Sequence, residues 1–188
     1  MSERGAIAHP TADGGWWGRY HHHDSHPPRL GRSLWWLYHD TFSQDHTEMA
    51  WVLIDEHPAG WSDVVRPAPG PFARAAFARA GYRSPHDHEW GTAPACYCHG
   101  HRPEGELALE CACPVDTSSC DPWQIEWAYV LLTAGIFVLT SWHPDPAQHR
   151  SEHRAVALAA WDRSEPNWQA IEDRGRRTDF RTPVSYTH

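Results

Sequence analysis

Apolar positions are spread unevenly along this chain, and their spacing predicts its elements one by one. Residues 1–30 are rich in Gly, Pro, His and Asp and lack any apolar period. They predict a flexible N-terminal arm, with Trp16, Trp17 and Tyr20 as anchors. Leu34-Trp35-Trp36-Leu37, within residues 33–38, is a short apolar aromatic run that reads as a strand. Over residues 45–57 two readings compete. Met49, Val52 and Leu53 have helical spacing with Ser43, Asp45 or Thr47 as the cap, while Trp51-Val52-Leu53-Ile54 fits a buried strand. Either element stops at Pro58-Ala59-Gly60.

Residues 71–80 give the clearest helical pattern, with Pro71 at the first position and Phe72, Ala76, Phe77 and Ala80 on one stripe. Gly81 is its expected terminator, with Tyr82 packing back on Phe77. Asp121-Pro122-Trp123-Gln124 carries helix-start chemistry and predicts a helix through Trp127, Val130 and Leu131 towards Gly135. Ile136 to Thr140 then reads as a buried strand. The rival reading is one membrane helix over residues 127–142, but that run has 16 residues, against about 20 needed to span. Asp145-Pro146-Ala147-Gln148 repeats the cap chemistry and predicts a helix to about Arg163. Ser164-Glu165-Pro166 predicts another, with Trp168 and Ile171 inward and Gly175 at its end.

Together these elements predict an α+β fold of several helices packed on a small, mostly antiparallel sheet, with a Cys-rich β-hairpin. Residues 31–176 form one globular domain between the arm and a loose tail at 177–188.

Composition changes this picture in three ways. The 188 residues include 12 Trp and 16 His, and all 16 fixed cations are Arg, a bias that lowers the weight of any single His or Trp. The formal net charge of −8 argues against nonspecific nucleic-acid binding, which needs phosphate neutralisation; a local Arg patch near Arg174, Arg176, Arg177 and Arg181 is the exception to test. The first residues lack the apolar core of a secretory signal. A cytoplasmic chain keeps its thiols reduced, which favours metal ligation over disulfides.

All five cysteines fall between Cys96 and Cys120, spaced Cys-x-Cys, twelve residues, Cys-x-Cys, six residues, Cys. With Cys96, Cys98, Cys111, Cys113, Cys120, His99 and His101 as donors, this stretch predicts a structural zinc site. Zinc knuckles usually use Cys-x-x-Cys, so the spacing departs from the common pattern. A hairpin turning at Glu104-Gly105 places Cys98 opposite Cys111 and Cys96 opposite Cys113, all four thiols on one face. A turn with Pro103 at its second position shifts the register by one and separates the pairs.

Two further clusters carry possible chemistry. His86, Asp87, His88 and Glu89 offer an open metal site for a metal-dependent hydrolase, with His21, His23 or Asp24 folding over it. The run His21-His22-His23-Asp24-Ser25-His26 superficially resembles the His-x-His-x-Asp-His signature of metallo-β-lactamase-like hydrolases. Ser25 stands where that signature has Asp, and the run reads as a solvated loop. No nucleophile elbow, phosphate loop or dinucleotide fingerprint is present in the sequence. The leading expectation is therefore a non-catalytic, tryptophan-rich interaction protein with a zinc-stapled hairpin, whose exposed Trp residues meet a partner protein. The alternative is the hydrolase.

Overall fold

The computed structural model describes residues 3–65, 73–78, 80, 94–98, 115–116, 125–141 and 153–177. Among the described residues, eight strands form one mixed sheet: β1 (Gly5–Pro10), β2 (Trp16–His21), β3 (Trp61–Asp63), β4 (Ala95–Cys96), β5 (Val115–Asp116), β6 (Trp127–Leu132), β7 (Gly135–Thr140) and β8 (Arg154–Ala160). Seven lie in the order β4-β3-β2-β1-β6-β7-β8, and β5 pairs with β2 off this path. The β1–β6 and β2–β3 pairs are parallel and the other pairs antiparallel. β1 holds one edge of β2, so β3 and β5 share the other: β3 pairs at His21, and β5 at Trp17 and Gly18.

This corrects the expected α+β fold of several helices on a small, mostly antiparallel sheet: the fold is mostly β, and its sheet is larger and mixed, with two parallel pairs beside five antiparallel ones. Three stretches read differently in sequence are strands. β1 and β2 come from the segment expected as an arm, and they pair along their whole length from Gly5↔His21 to Pro10↔Trp16. β6 and β8 come from runs expected as helices. In β6, Trp127, Tyr129 and Leu131 enter one core while Ala128 and Val130 enter another on the opposite face. That two-residue alternation is a strand's geometry. Because both faces are buried, the run is apolar throughout and shows no period in sequence. Thr133-Ala134 turns β6 into β7, the strand read correctly from Ile136 to Thr140.

Helices cover one face of the sheet. The first, α1, runs through Pro27–Gly31, Arg32–Trp36 and Leu37–Thr41 without a break, its outer segments widened to five-residue turns. Phe42 N–H reaches the Leu37 carbonyl at 2.9 Å, the wider i→i+5 bond. Leu30, Leu34, Leu37 and Tyr38 are buried along one stripe. The strand expected at residues 33–38 is thus the middle of a helix whose first turn lay inside the supposed arm. The second helix, α2, joins His46–Ala50 to Trp51–Asp55. Asp45 caps it by accepting from the Thr47 and Glu48 amides, both at 3.0 Å. The third, α3 (Ala73–Ala78), brings Phe77 against Phe42 and Trp61.

The fourth helix, α4 (Trp168–Arg176), starts three residues later than its sequence signal, where Asn167 accepts from the Ala170 amide at 3.0 Å. Trp168 and Ile171 point inward as expected. Aromatic side chains knit α1, α4 and the end of β8 together, with Tyr38 stacked on Trp161 at 3.9 Å between ring centres. No helix among the described residues is long and apolar enough to cross a membrane.

Candidate metal centre

The site begins where α2 ends. His57-Pro58-Ala59-Gly60 closes a tight turn in which the Gly60 amide donates to the His57 carbonyl at 3.0 Å. Gly60 has φ +79°, and a Cβ there would lie 2.6 Å from the Tyr20 carbonyl oxygen. Only glycine meets both conditions without strain. The chain leaves this turn as β3, which pairs with β4 through Trp61↔Cys96. The Tyr97 amide then donates to the Gly60 carbonyl at 3.0 Å and folds Cys98 back over the turn.

Three donor atoms meet here: one ring nitrogen of His57 and the sulfurs of Cys96 and Cys98 all lie within 4.8 Å of one another. Tetrahedral zinc–thiolate geometry places donors about 3.8 Å apart, so small side-chain rotations close the set around an ion. His57 and Cys96 are buried and Cys98 is half-buried. The His57 ring also rests on Trp61, 4.3 Å between centres. Two soft thiols and an imidazole could hold a metal ion.

Local hydrogen bonding prepares the thiols for this role. Cys98 is held well below the ordinary thiol range, first by the Cys96 thiol and then by His57 and the Ala59 amide, against the opposing effect of burial. The Ala59 amide donates to the Cys98 sulfur at 3.2 Å. Cys96 is 3.0 Å from the Ala80 carbonyl. Its single proton serves either that carbonyl or the Cys98 sulfur at one time. A bound metal ion would displace that proton.

Of the donors expected from sequence, Cys96 and Cys98 are brought together. Cys111, Cys113, Cys120, His99 and His101 lie outside the described residues, as does the hairpin register that would align them. His86, Asp87, His88 and Glu89 of the hydrolase reading also lie outside. His57 was missed. A histidine before proline at a helix end is ordinary loop chemistry, and the turn meets its partners only through contacts about 40 residues away, as Ala59 meets Cys98.

A second polar cluster is closed to catalysis by its own bonding. His21, Ser25 and Asp63 are all buried. The Val64 amide donates to His21 Nε2 at 3.1 Å, which leaves the proton on Nδ1, 2.7 Å from Ser25 Oγ. Ser25 Oγ in turn donates to the His21 carbonyl at 3.2 Å. The imidazole therefore gives a proton towards the hydroxyl rather than taking one, the reverse of a base activating a nucleophile. The cluster locks the end of β2 to the start of α1, where sequence suggested a solvated loop.

Set beside known proteins, the chain matches no family model, no curated protein and no solved structure at a significant level.

Proposed function

We propose that this chain is a non-catalytic interaction protein whose fold is stapled by a structural zinc ion. His57, Cys96 and Cys98 would supply three ligands, with a fourth drawn from Cys111, Cys113, Cys120, His99 or His101. The observation that carries the reading is the convergence of three donors from two distant segments, the turn after α2 and the end of β4, within 4.8 Å. Two of the three are buried, which suits a closed structural site better than a catalytic one that keeps a position open to substrate. The gain is placed where it is needed: β3 and β4 are strands of three and two residues, too short to hold an edge of the sheet by backbone bonds alone.

Elemental analysis of reduced, zinc-supplemented protein tests the proposal. One zinc per chain is expected, with intense visible and near-ultraviolet bands after cobalt substitution. Both fall away in Cys96→Ser and His57→Ala, and chelation lowers the thermal midpoint. Absence of stoichiometric metal in the wild-type chain would sink the reading. Metal that leaves readily while the fold and its midpoint persist would instead favour the open site of a hydrolase.

A further inference from the structure

A cleft of about 460 Å³ opens between α2, the end of β1 and the β6–β7 turn, and its lining residue Asp55 lies two residues before His57. Its size falls within the range of small-molecule sites. Trp51, on α2, lines it with 56% of its surface exposed, more than any other large apolar side chain among the described residues. Two polar pairs are among its lining residues. His9 Nε2 meets Asp55 Oδ2 at 3.2 Å, and His46 Nε2 meets Thr133 Oγ1 at 3.2 Å. Apolar lining comes from Ala50, Leu131 and Leu132 beside Trp51.

We propose that this cleft binds a neutral carbohydrate, with a pyranose ring lying against the Trp51 indole. Charge decides against the other ligand classes. No Arg is among the described residues lining the cleft, so a phosphate or carboxylate would lose its hydration without finding a cation. Asp55 is the one fixed charge among the described residues of the lining, and it is already engaged. His9 faces it, and the Arg19 guanidinium stands close enough to be attracted to it while donating to the Ile54 carbonyl at 2.8 Å. An ammonium would have to displace those partners.

What remains is a ligand with an apolar face and a hydrogen-bonding rim. The C–H face of a pyranose fits the exposed indole, whose amphipathic ring suits such half-wet contacts. The His46 imidazole and the Thr133 hydroxyl can each donate and accept, so exchanging their mutual bond for ring hydroxyls leaves no charge unpaired, while the His9–Asp55 pair stays in place. The cleft shares no residue with His57, Cys96 or Cys98, so this inference stands apart from the zinc reading.

The test is a titration of the full, zinc-loaded chain with the methyl pyranosides of glucose, galactose, mannose and N-acetylglucosamine, and with cellobiose, lactose, mannobiose and chitobiose. The Trp51 indole N–H is followed by NMR and affinity by calorimetry. At least one saccharide is expected to shift that signal saturably. Its affinity falls roughly tenfold or more, about 1.4 kcal/mol, in Trp51→Ala and in Thr133→Val, while zinc content stays at the wild-type value. The proposal is overturned if no saccharide binds, if the variants bind as the parent does, or if benzyl alcohol or phenethylammonium binds as tightly as the best saccharide. Loss of zinc with retained saccharide binding would refute only the metal reading.

Discussion

His21 shows how far a single residue's surroundings set its chemistry. Burial, then the neighbouring histidines His23 and His22 and Arg29, lower its pKa from 6.5 to about 3. His153, packed on Trp16 with Nε2 3.0 Å from the Ile125 carbonyl, is lowered by burial to about 4. Each stays neutral in the folded chain at a pH where the unfolded chain takes up a proton. Their contribution is therefore intact above about pH 6.5 and lost as pH falls towards the folded values. Asp63 acts in the opposite sense. Burial raises it to about 6, so the folded chain holds its proton where the unfolded chain has released it, and that contribution fades as pH rises from 4 to 6. His22, lowered by burial to about 4, adds to the same side as the other histidines. Three histidines thus outweigh one carboxyl, and stability should fall on acidification from pH 6.5 to 4. Urea unfolding across that range checks the sign. His153→Gln should flatten the slope by up to about 1.4 kcal/mol per pH unit.

Gly60 makes a second prediction at this scale. With φ +79° and no room for a Cβ, Gly60→Ala should cost about 1–3 kcal/mol in urea unfolding. It should also weaken metal uptake, because the same turn presents His57. The turn itself was legible from Pro58-Ala59-Gly60. The role of His57 was not, because a ligand set assembled by tertiary contact leaves no local signature.

At the scale of elements, legibility followed amphipathicity. α4 has one buried side and a polar remainder, and its inward residues Trp168 and Ile171 could be named from spacing. Asn167→Ala should cost about 1 kcal/mol, read as a lower urea midpoint at unchanged slope. The Arg residues of α4 are largely occupied within the fold. Arg174 donates to the Val156 carbonyl at 3.3 Å, and Arg176 pairs with Glu172 at 2.8 Å and also with Glu3. Buried strands gave the opposite lesson. In β6 and β7 nearly every position is apolar, so only length, aromatic content and β-branching separate strand from helix. Strong cap motifs at residues 121–124 and 145–148 tipped that balance towards helices that the described stretches of β6 and β8 do not form. α1 failed for another reason. Its stripe at Leu30, Leu34 and Leu37 was cut by treating residue 30 as the end of an arm.

For the whole molecule, the sheet order was beyond local reading. Nothing in Gly5–Pro10 announces that it pairs with β2 on one side and with β6 on the other. Small side chains at Ala6 and Ala8 look unremarkable until both faces of the sheet are seen to be packed. The proposed metal staple and the proposed saccharide cleft meet at the end of α2 but share no residue, so Trp51→Ala and Cys96→Ser address them separately.

The parallel contact between Gly5 and Trp127 carries a consequence for how the chain is made. During synthesis β1 and β2 can pair early, yet the other edge of β1 stays open until more than a hundred further residues have been added. Joining such distant segments must overcome a large loop-closure entropy and is slow. Throughout that interval the ribosome-bound chain presents an unpaired, largely apolar strand edge, the kind that recruits other strands. Expression at reduced temperature or with a chaperone that shields nascent chains should therefore raise the soluble yield more than any substitution at the finished protein's surface.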